Sequence, residues 1–301
     1  MPICEIDPWR TQYFENVPCP DDVFIPTEDS DAWSWNPSYR WVYDKLAVAL
    51  SQGLDAAPHG VSPIGYPVFS KPIYNLKGMG VGSRALGSEA DYADAYQPGH
   101  FWSTLLTGDH VSSDVAVVAG QPQWWRHARG IASGSGTFDY WEVTDTPALS
   151  VEEWCGRWCR ENLAGYTGLL NLETIGGRII EVHLRFADQW PDLYGGYPWV
   201  EAAVRLYKDK LWTLDDSRRR TGYSVVLFMP HGARYKHPPK EMQAEISGMP
   251  GISSLQITFH EDRSPAHHAM PPGGFRVAIV NCWDRTAGNA ARDRLRSYFA
   301  A

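Results

Sequence analysis

The chain has no long apolar run. No stretch approaches the roughly 20 apolar residues that a membrane-spanning helix requires, so no membrane partner is expected. The start, Met-Pro-Ile-Cys-Glu-Ile-Asp, offers neither a basic region nor an apolar stretch. It does not read as a signal peptide, and the cytoplasm is the expected location. Basic residues are outnumbered, 27 Lys and Arg against 35 Asp and Glu for a net charge of -8, which argues against a nucleic-acid partner. The compact basic run Arg218-Arg219-Arg220 reads as a solvated turn. Cysteine is sparse: five in 301 residues, an odd number without a secretion signal, so reduced thiols are expected. Cys155 and Cys159 share a helix face, but no second Cys/His pair completes a metal site, and they read as buried structural residues. His267-His268, in a Pro/Ala-rich loop, reads as surface. Internal repeats and low-complexity tracts are missing too. So are the GxxxxGK[ST] phosphate loop and the Rossmann fingerprint with its following acid.

What is present suffices for a folded enzyme. Apolar residues make up 44% of the chain, and tryptophan is abundant at 14. Residues 1–35 are polar and Pro-rich without a clear period. Residues 38–53 read as an amphipathic helix capped by Asn36 or Ser38 and stopped by Gly53. Residues 66–72 and 101–106 read as strands, and 111–118 with 122–129 as a hairpin, together making a small antiparallel lobe. The Gly/Ser-rich segment 130–139 reads as a flexible loop. Ser150 and Glu153 form a capping box that opens a helix over 150–163. Further on, helices are expected at 197–210, 238–247 and 284–299, and strands at 222–229, 253–260 and 275–281. Trp33, Trp35 and Trp41 cluster near the first helix; they are expected to cover a surface, as a homodimer contact or a partner's docking face.

Two segments carry chemistry. Asn171-Leu172-Glu173, a Gly176-Gly177 turn and Ile180-Glu181-Val182-His183-Leu184-Arg185 read as a hairpin. Alternation along a strand puts Glu181, His183 and Arg185 on one face, and cross-strand pairing can bring Glu173 opposite. Such a face could hold Mg2+ and a phosphate; a solvated sheet face with an ordinary ion pair is the other reading. Upstream, a short strand ends at Lys71 and opens into Asn75-Leu-Lys77-Gly78-Met-Gly80-Val-Gly82. Glycines let backbone N–H groups approach an anion, and Lys71 and Lys77 add positive charge.

In this order, over roughly residues 40–190, the segments resemble the ATP-grasp family of carboxylate ligases. The resemblance implies an α+β fold: two α+β lobes with ATP between them, plus a C-terminal α/β extension. The implied boundaries are 1–60 for a shortened N-terminal segment with the first helix, 61–145 for the small lobe, 146–210 for the large lobe and 211–301 for the extension. It implies that Lys45, Lys71 and Lys77 meet ATP phosphates, with Gly78, Gly80 and Gly82 folding over them. Thr104, Leu105 and Leu106 fall on the hinge that reads adenine, and the ribose contact is left to Asp109 or His110. Glu173, Glu181 and His183 fall on the Mg2+ ligand positions, and Arg185 on the arginine that steadies the transferred group. His183 stands where the family usually has Asn, and imidazole suits softer metals such as Mn2+ or Zn2+; binding of substrate, a role as a base, or one weakly held metal are the other readings. The implied activity is ATP-dependent activation of a small-molecule carboxylate as an acyl-phosphate, then its joining to an amine or thiol, with Lys71 and Arg185 as catalytic residues. Two rivals stand beside it: an inactive nucleotide-binding regulator, and the ATP-binding component of a two-protein ligase.

Overall fold

The computed structural model describes every residue except Met1, Cys4, Asn75, residues 77–79, Ser135, Pro265 and Ala266. In chain order its elements are α1 (Pro8–Thr11), α2 (Asp29–Trp35), a 3-10 segment (Pro37–Tyr43), α3 (Lys45–Ser51), β1 (Ala56–Pro58), β2 (Val68–Pro72), β3 (Arg84–Leu86), α4 (Glu89–Ala95), β4 (His100–Thr104), β5 (His110–Val118), β6 (Gln121–Gly134) and β7 (Thr137–Thr144). Then follow α5 (Leu149–Asn162), β8 (Gly168–Ile175), β9 (Arg178–His183), a 3-10 turn (Pro191–Tyr194), α6 (Tyr197–Asp209), β10 (Gly222–Met229), α7 (Lys240–Ser247), β11 (Ile252–Ile257), β12 (Phe275–Cys282) and α8 (Arg285–Ala300). The chain divides into two compact units. One, the hairpin unit, comprises Pro26–Trp125 and Ala148–Phe186; the other, the C-terminal unit, comprises Met1–Ile25, Arg126–Pro147 and Ala187–Ala301.

The hairpin unit contains an antiparallel sheet in the order β1-β4-β2-β3 and a second antiparallel set, β5-β8-β9. Its core joins Val115, Val117, Leu170, Leu172, Ile179 and Val182 to Val151, Cys155, Trp158 and Cys159 of α5. Those four helix positions follow the i, i+4, i+7, i+8 spacing of one buried stripe. Both thiols are buried and free, and burial pushes Cys155 up to about 12. The C-terminal unit orders its strands β11-β12-β10-β7-β6. Val225, Leu227, Val277 and Val280 on one sheet face pack against Ile246 of α7 and against Ala291, Leu295 and Phe299 of α8.

Several expectations change. The helix expected over 38–53 is split: a 3-10 segment runs to Tyr43, and Asp44 then caps α3 by accepting from the Ala47 amide at 2.8 Å. α5 begins after Ala148 without a side-chain cap, so the Ser150–Glu153 box does not form. The loop expected over 130–139 is the end of β6 and the start of β7, where Gly130 lies directly under the rings of Phe138 and Trp141. A boundary at 145 is not where the strands divide. β5 pairs with β8, Ser112 opposite Glu173 and Asp114 opposite Asn171, so residues 110–118 belong with the β8–β9 hairpin. Of the tryptophans near the first helix, Trp33 and Trp41 are half-buried, Trp33 against Tyr43 and Trp41 against Trp158, and Trp35 is exposed.

Candidate functional site

The β8–β9 hairpin supplies the centre of the site. Its turn needs glycine twice, since Gly176 and Gly177 both have positive φ (56° and 78°). A Cβ at Gly176 would also run into the Thr107 carbonyl oxygen. The turn pairs Ile175 with Arg178 and Thr174 with Ile179, and a bulge between Glu173 and Thr174 then shifts the register by one, so that Glu173 lies opposite Glu181 and Asn171 opposite His183. Asn171 is buried and donates to Asp114 at 2.6 Å and to Ser112 at 2.8 Å. That ties β8 to β5 on the face that carries the acids. The opposite face, with Leu172, Val182 and Leu184, belongs to the apolar core.

Both glutamates on this face meet a basic side chain. Lys45, the first residue of α3, places Nζ 2.8 Å from Glu181 Oε1. Lys71, on β2, donates to the Ile180 carbonyl at 2.7 Å. Burial pushes Lys71 down to about 8; Glu181 and Glu173 counter that shift and Lys45 adds to it. His110 Nε2 lies 3.0 Å from Glu173 Oε2. Burial alone would raise the Glu173 carboxyl, but the hydrogen bond and charge of His110, helped by His183 and Arg185, hold it well below the ordinary range. Glu173 and Glu181 keep side-chain exposures of 27% and 17%. They are not sealed, and a ligand can reach them.

Sequence reasoning missed one member. Asp29, at the start of α2, is buried, and both its oxygens lie 3.0 Å from His183 Nδ1. It also accepts from Arg185 Nη2 at 3.0 Å and from the Tyr43 hydroxyl at 3.1 Å. Burial would raise its pKa, yet Arg185 and His183 hold the carboxyl far below the usual range. His183 moves the other way: burial lowers it, Asp29 and Glu181 more than offset this, and its pKa is raised. An acid at a helix start looks locally like a favourable first-turn residue, so nothing near Asp29 in sequence marks it for this site.

The remaining sequence-derived positions fall as follows. Arg185 lies two residues beyond the end of β9 and reaches the site through Asp29, rather than along a continuing strand. Asp109 is exposed, and its carbonyl accepts from the Gly176 amide at 3.2 Å. Thr104 ends β4 and pairs with Asp55 through its backbone; Leu105 and Leu106 are half-buried in the link to β5. Gly80 and Gly82 have positive φ in the turn before β3. Lys77 and Gly78 lie outside the described residues. Glu181 Oε1 is 3.7 Å from His183 Nε2, but among the described residues no group of three or more His, Cys, Asp or Glu is placed to hold a metal. The expected trio Glu173, Glu181 and His183 is therefore not a closed protein cage. Its donors nevertheless fit a cation shared with phosphates, because Mg2+ is usually held by one or two carboxylates plus substrate oxygens.

The arrangement of strands matches known structures. Phosphoribosylamine–glycine ligase from Thermotoga maritima superposes with a TM-score of 0.61 at 14% identity, over 96% of this chain and 85% of that one. The protein has an ATP-grasp fold. L-amino acid ligase from Bacillus licheniformis gives 0.57 at 11% identity over 84% of this chain and 69% of that one. Carboxyaminoimidazole ribonucleotide synthase from Aspergillus clavatus, complexed with ATP, gives 0.60 at 9% identity over 88% and 75%. No protein-family model and no curated protein matches the sequence. The ATP-grasp chain has no helix among its described residues that is long and apolar enough to cross a membrane.

Proposed function

We propose that this protein is an ATP-dependent ligase that activates a carboxylate as an acyl-phosphate and joins it to an amine. The observation that carries the reading is the single polar face on which Lys45, Lys71 and Arg185 accompany the opposed carboxylates Glu173 and Glu181, in a chain with an ATP-grasp fold. The solved neighbours named above are ligases and a synthase, one of them with ATP bound.

The chemistry assigned to the residues is electrostatic. Transfer of a γ-phosphoryl group requires alignment and charge neutralisation more than covalent help from the protein. Lys45 and Lys71 would leave Glu181 and the Ile180 carbonyl to bind triphosphate oxygens. Arg185, already aimed by Asp29, would grip the substrate carboxylate or the departing phosphate through its planar fork. Glu173 and Glu181 would hold Mg2+, which when bound neutralises charge on the transferring phosphoryl group. The substrate carboxylate attacks the γ-phosphorus and ADP leaves; the amine then attacks the acyl carbon, loses a proton and expels phosphate.

Calorimetry with ATP and ADP, with and without Mg2+ and Mn2+, tests the first half. Metal-dependent binding in the micromolar range is expected, and no binding under any metal would end the proposal. Phosphate release across a panel of acids and amines then tests the second half.

A further inference from the structure

We propose that a cleft in the C-terminal unit, lined by residues just past β11 and at the start of β12, binds a small aromatic monocarboxylate. The cleft has a volume of about 330 Å³, within the range of small-molecule sites. Its apolar lining is Tyr235, Phe259 and Phe275. The Phe275 ring stands 5.8 Å from those of both Phe259 and Tyr235. The Tyr235 hydroxyl is anchored on the Pro230 carbonyl at 2.8 Å. Rings at these spacings make tilted and edge contacts, and a further ring can join them.

His268 supplies the polar group of the cleft. His267 is exposed, as the Pro/Ala-rich loop predicts, but His268 is half-buried, with its ring 5.6 Å from Phe275. The His260 amide donates to His268 Nε2 at 2.9 Å. An amide N–H can only donate, so Nε2 is the acceptor and the ring proton sits on Nδ1. Burial, with His260, His267 and Arg263 nearby, pushes the His268 pKa down against the pull of Asp7, which keeps the ring neutral. Nδ1 is buried and has no hydrogen-bond partner. A buried N–H without an acceptor is costly, and a carboxylate oxygen in the cleft would relieve it. The neighbouring His260 cannot turn to do so, because its Nε2 is engaged by Asp7 Oδ1 at 2.8 Å.

Charge at the rim selects the anion. Arg234 and Arg263 line the cleft and are exposed, and among the described residues neither forms an ion pair. A guanidinium offers paired donors to a carboxylate. Glu261 and Asp262 stand at the same rim. Two acids against two guanidiniums leave room for one negative charge, not for a triphosphate.

The test uses the full chain with phenylacetate as the probe. Benzylamine keeps the ring and reverses the charge; inorganic phosphate keeps a negative charge without the ring. Calorimetry should show saturable phenylacetate binding, at least about tenfold tighter than either control. Arg263→Gln and His268→Phe should each weaken it about tenfold, with ATP affinity unchanged. Long-range 1H–15N correlation of the imidazoles should place the His268 proton on Nδ1 and shift that signal on adding phenylacetate. No saturable binding, equal binding of benzylamine, or a His268 proton on Nε2 overturns the proposal. So does an unchanged affinity in Arg263→Gln, as binding at Arg185 would give. Arg263 is exposed, so a poorly folding His268→Phe does not blunt the experiment. The site uses no residue of the nucleotide face: loss of ATP binding with phenylacetate retained defeats only the ligase reading, and the converse defeats only this one.

Discussion

The two units each bury polar groups on a sheet face, and they do so in different ways. In the C-terminal unit the face opposite α7 and α8 carries Ser224, Gln256 and Asn281, all fully buried. Their donors are spent locally: Gln256 on the Tyr13 hydroxyl at 2.8 Å and on the Gln189 carbonyl at 2.6 Å, Asn281 on Asp192 at 2.7 Å. Ser254 meets the same Tyr13 oxygen at 2.8 Å. These groups are mostly neutral and point at one another. In the hairpin unit the polar face holds full charges, Lys45, Glu173 and Glu181 among them, and the two glutamates remain within reach of solvent. Neutral buried networks mainly rigidify a fold. A cluster of partly exposed opposite charges gains little for stability and is better explained by a ligand that will exchange with some of its partners.

That contrast can be broken experimentally. The largest effect is expected from Glu181→Ala. Removing a charge that acts on the transferring phosphoryl group should lower ATP turnover by at least about 10³-fold, while thermal unfolding shifts by only a few degrees. An active Glu181→Ala protein, or one that fails to fold, would erase the distinction between the two faces.

A smaller effect concerns pH. Burial holds Lys71 down to about 8 in the nucleotide-free protein, and phosphate favours the charged amine. Below that pH Lys71 is already protonated and ATP affinity should be flat. Above it, binding must take up a proton, so affinity should fall roughly tenfold per pH unit until the pKa of the bound form is reached. Calorimetry in buffers of different ionisation enthalpy would detect that uptake; a flat affinity to pH 10 would remove Lys71 from the phosphate site.

The smallest effect sharpens the other side. Tyr13→Phe deletes the oxygen on which Ser254 and Gln256 converge. It should cost about 1–2 kcal/mol in chemical denaturation, the usual penalty for stranding buried polar partners, and leave nucleotide affinity unchanged. A loss of affinity would show that the C-terminal face is not merely structural.

Much of this molecule is written in local patterns. The strand over 222–229 and the helix over 284–299 follow from apolar periodicity, and the structure places them at Gly222–Met229 and Arg285–Ala300. The Gly176-Gly177 pair marks the hairpin turn, because few other residues accept positive φ there, and period-two alternation puts Glu181 and His183 on one face, whereas Glu173 comes opposite Glu181 only through the bulge between Glu173 and Thr174. Composition misled at 130–139. Glycine and serine signal a loop when they are free, but here close ring packing over Gly130 makes small residues necessary inside a strand pair. The 3-10 break before Asp44 was hidden for a similar reason, since a helical apolar pattern does not reveal where a side chain will cap the backbone.

Long-range pairing is what only the tertiary structure decided. Asp29 and His183 are 154 residues apart in sequence, as are the two ends of no local motif. The choice of β8 rather than the small sheet as the partner of β5 likewise depends on which strand edges meet. Periodicity and turn chemistry act over a few residues and so are legible in a single chain. Which buried carboxylate comes to stand behind which histidine is settled by packing of the whole unit.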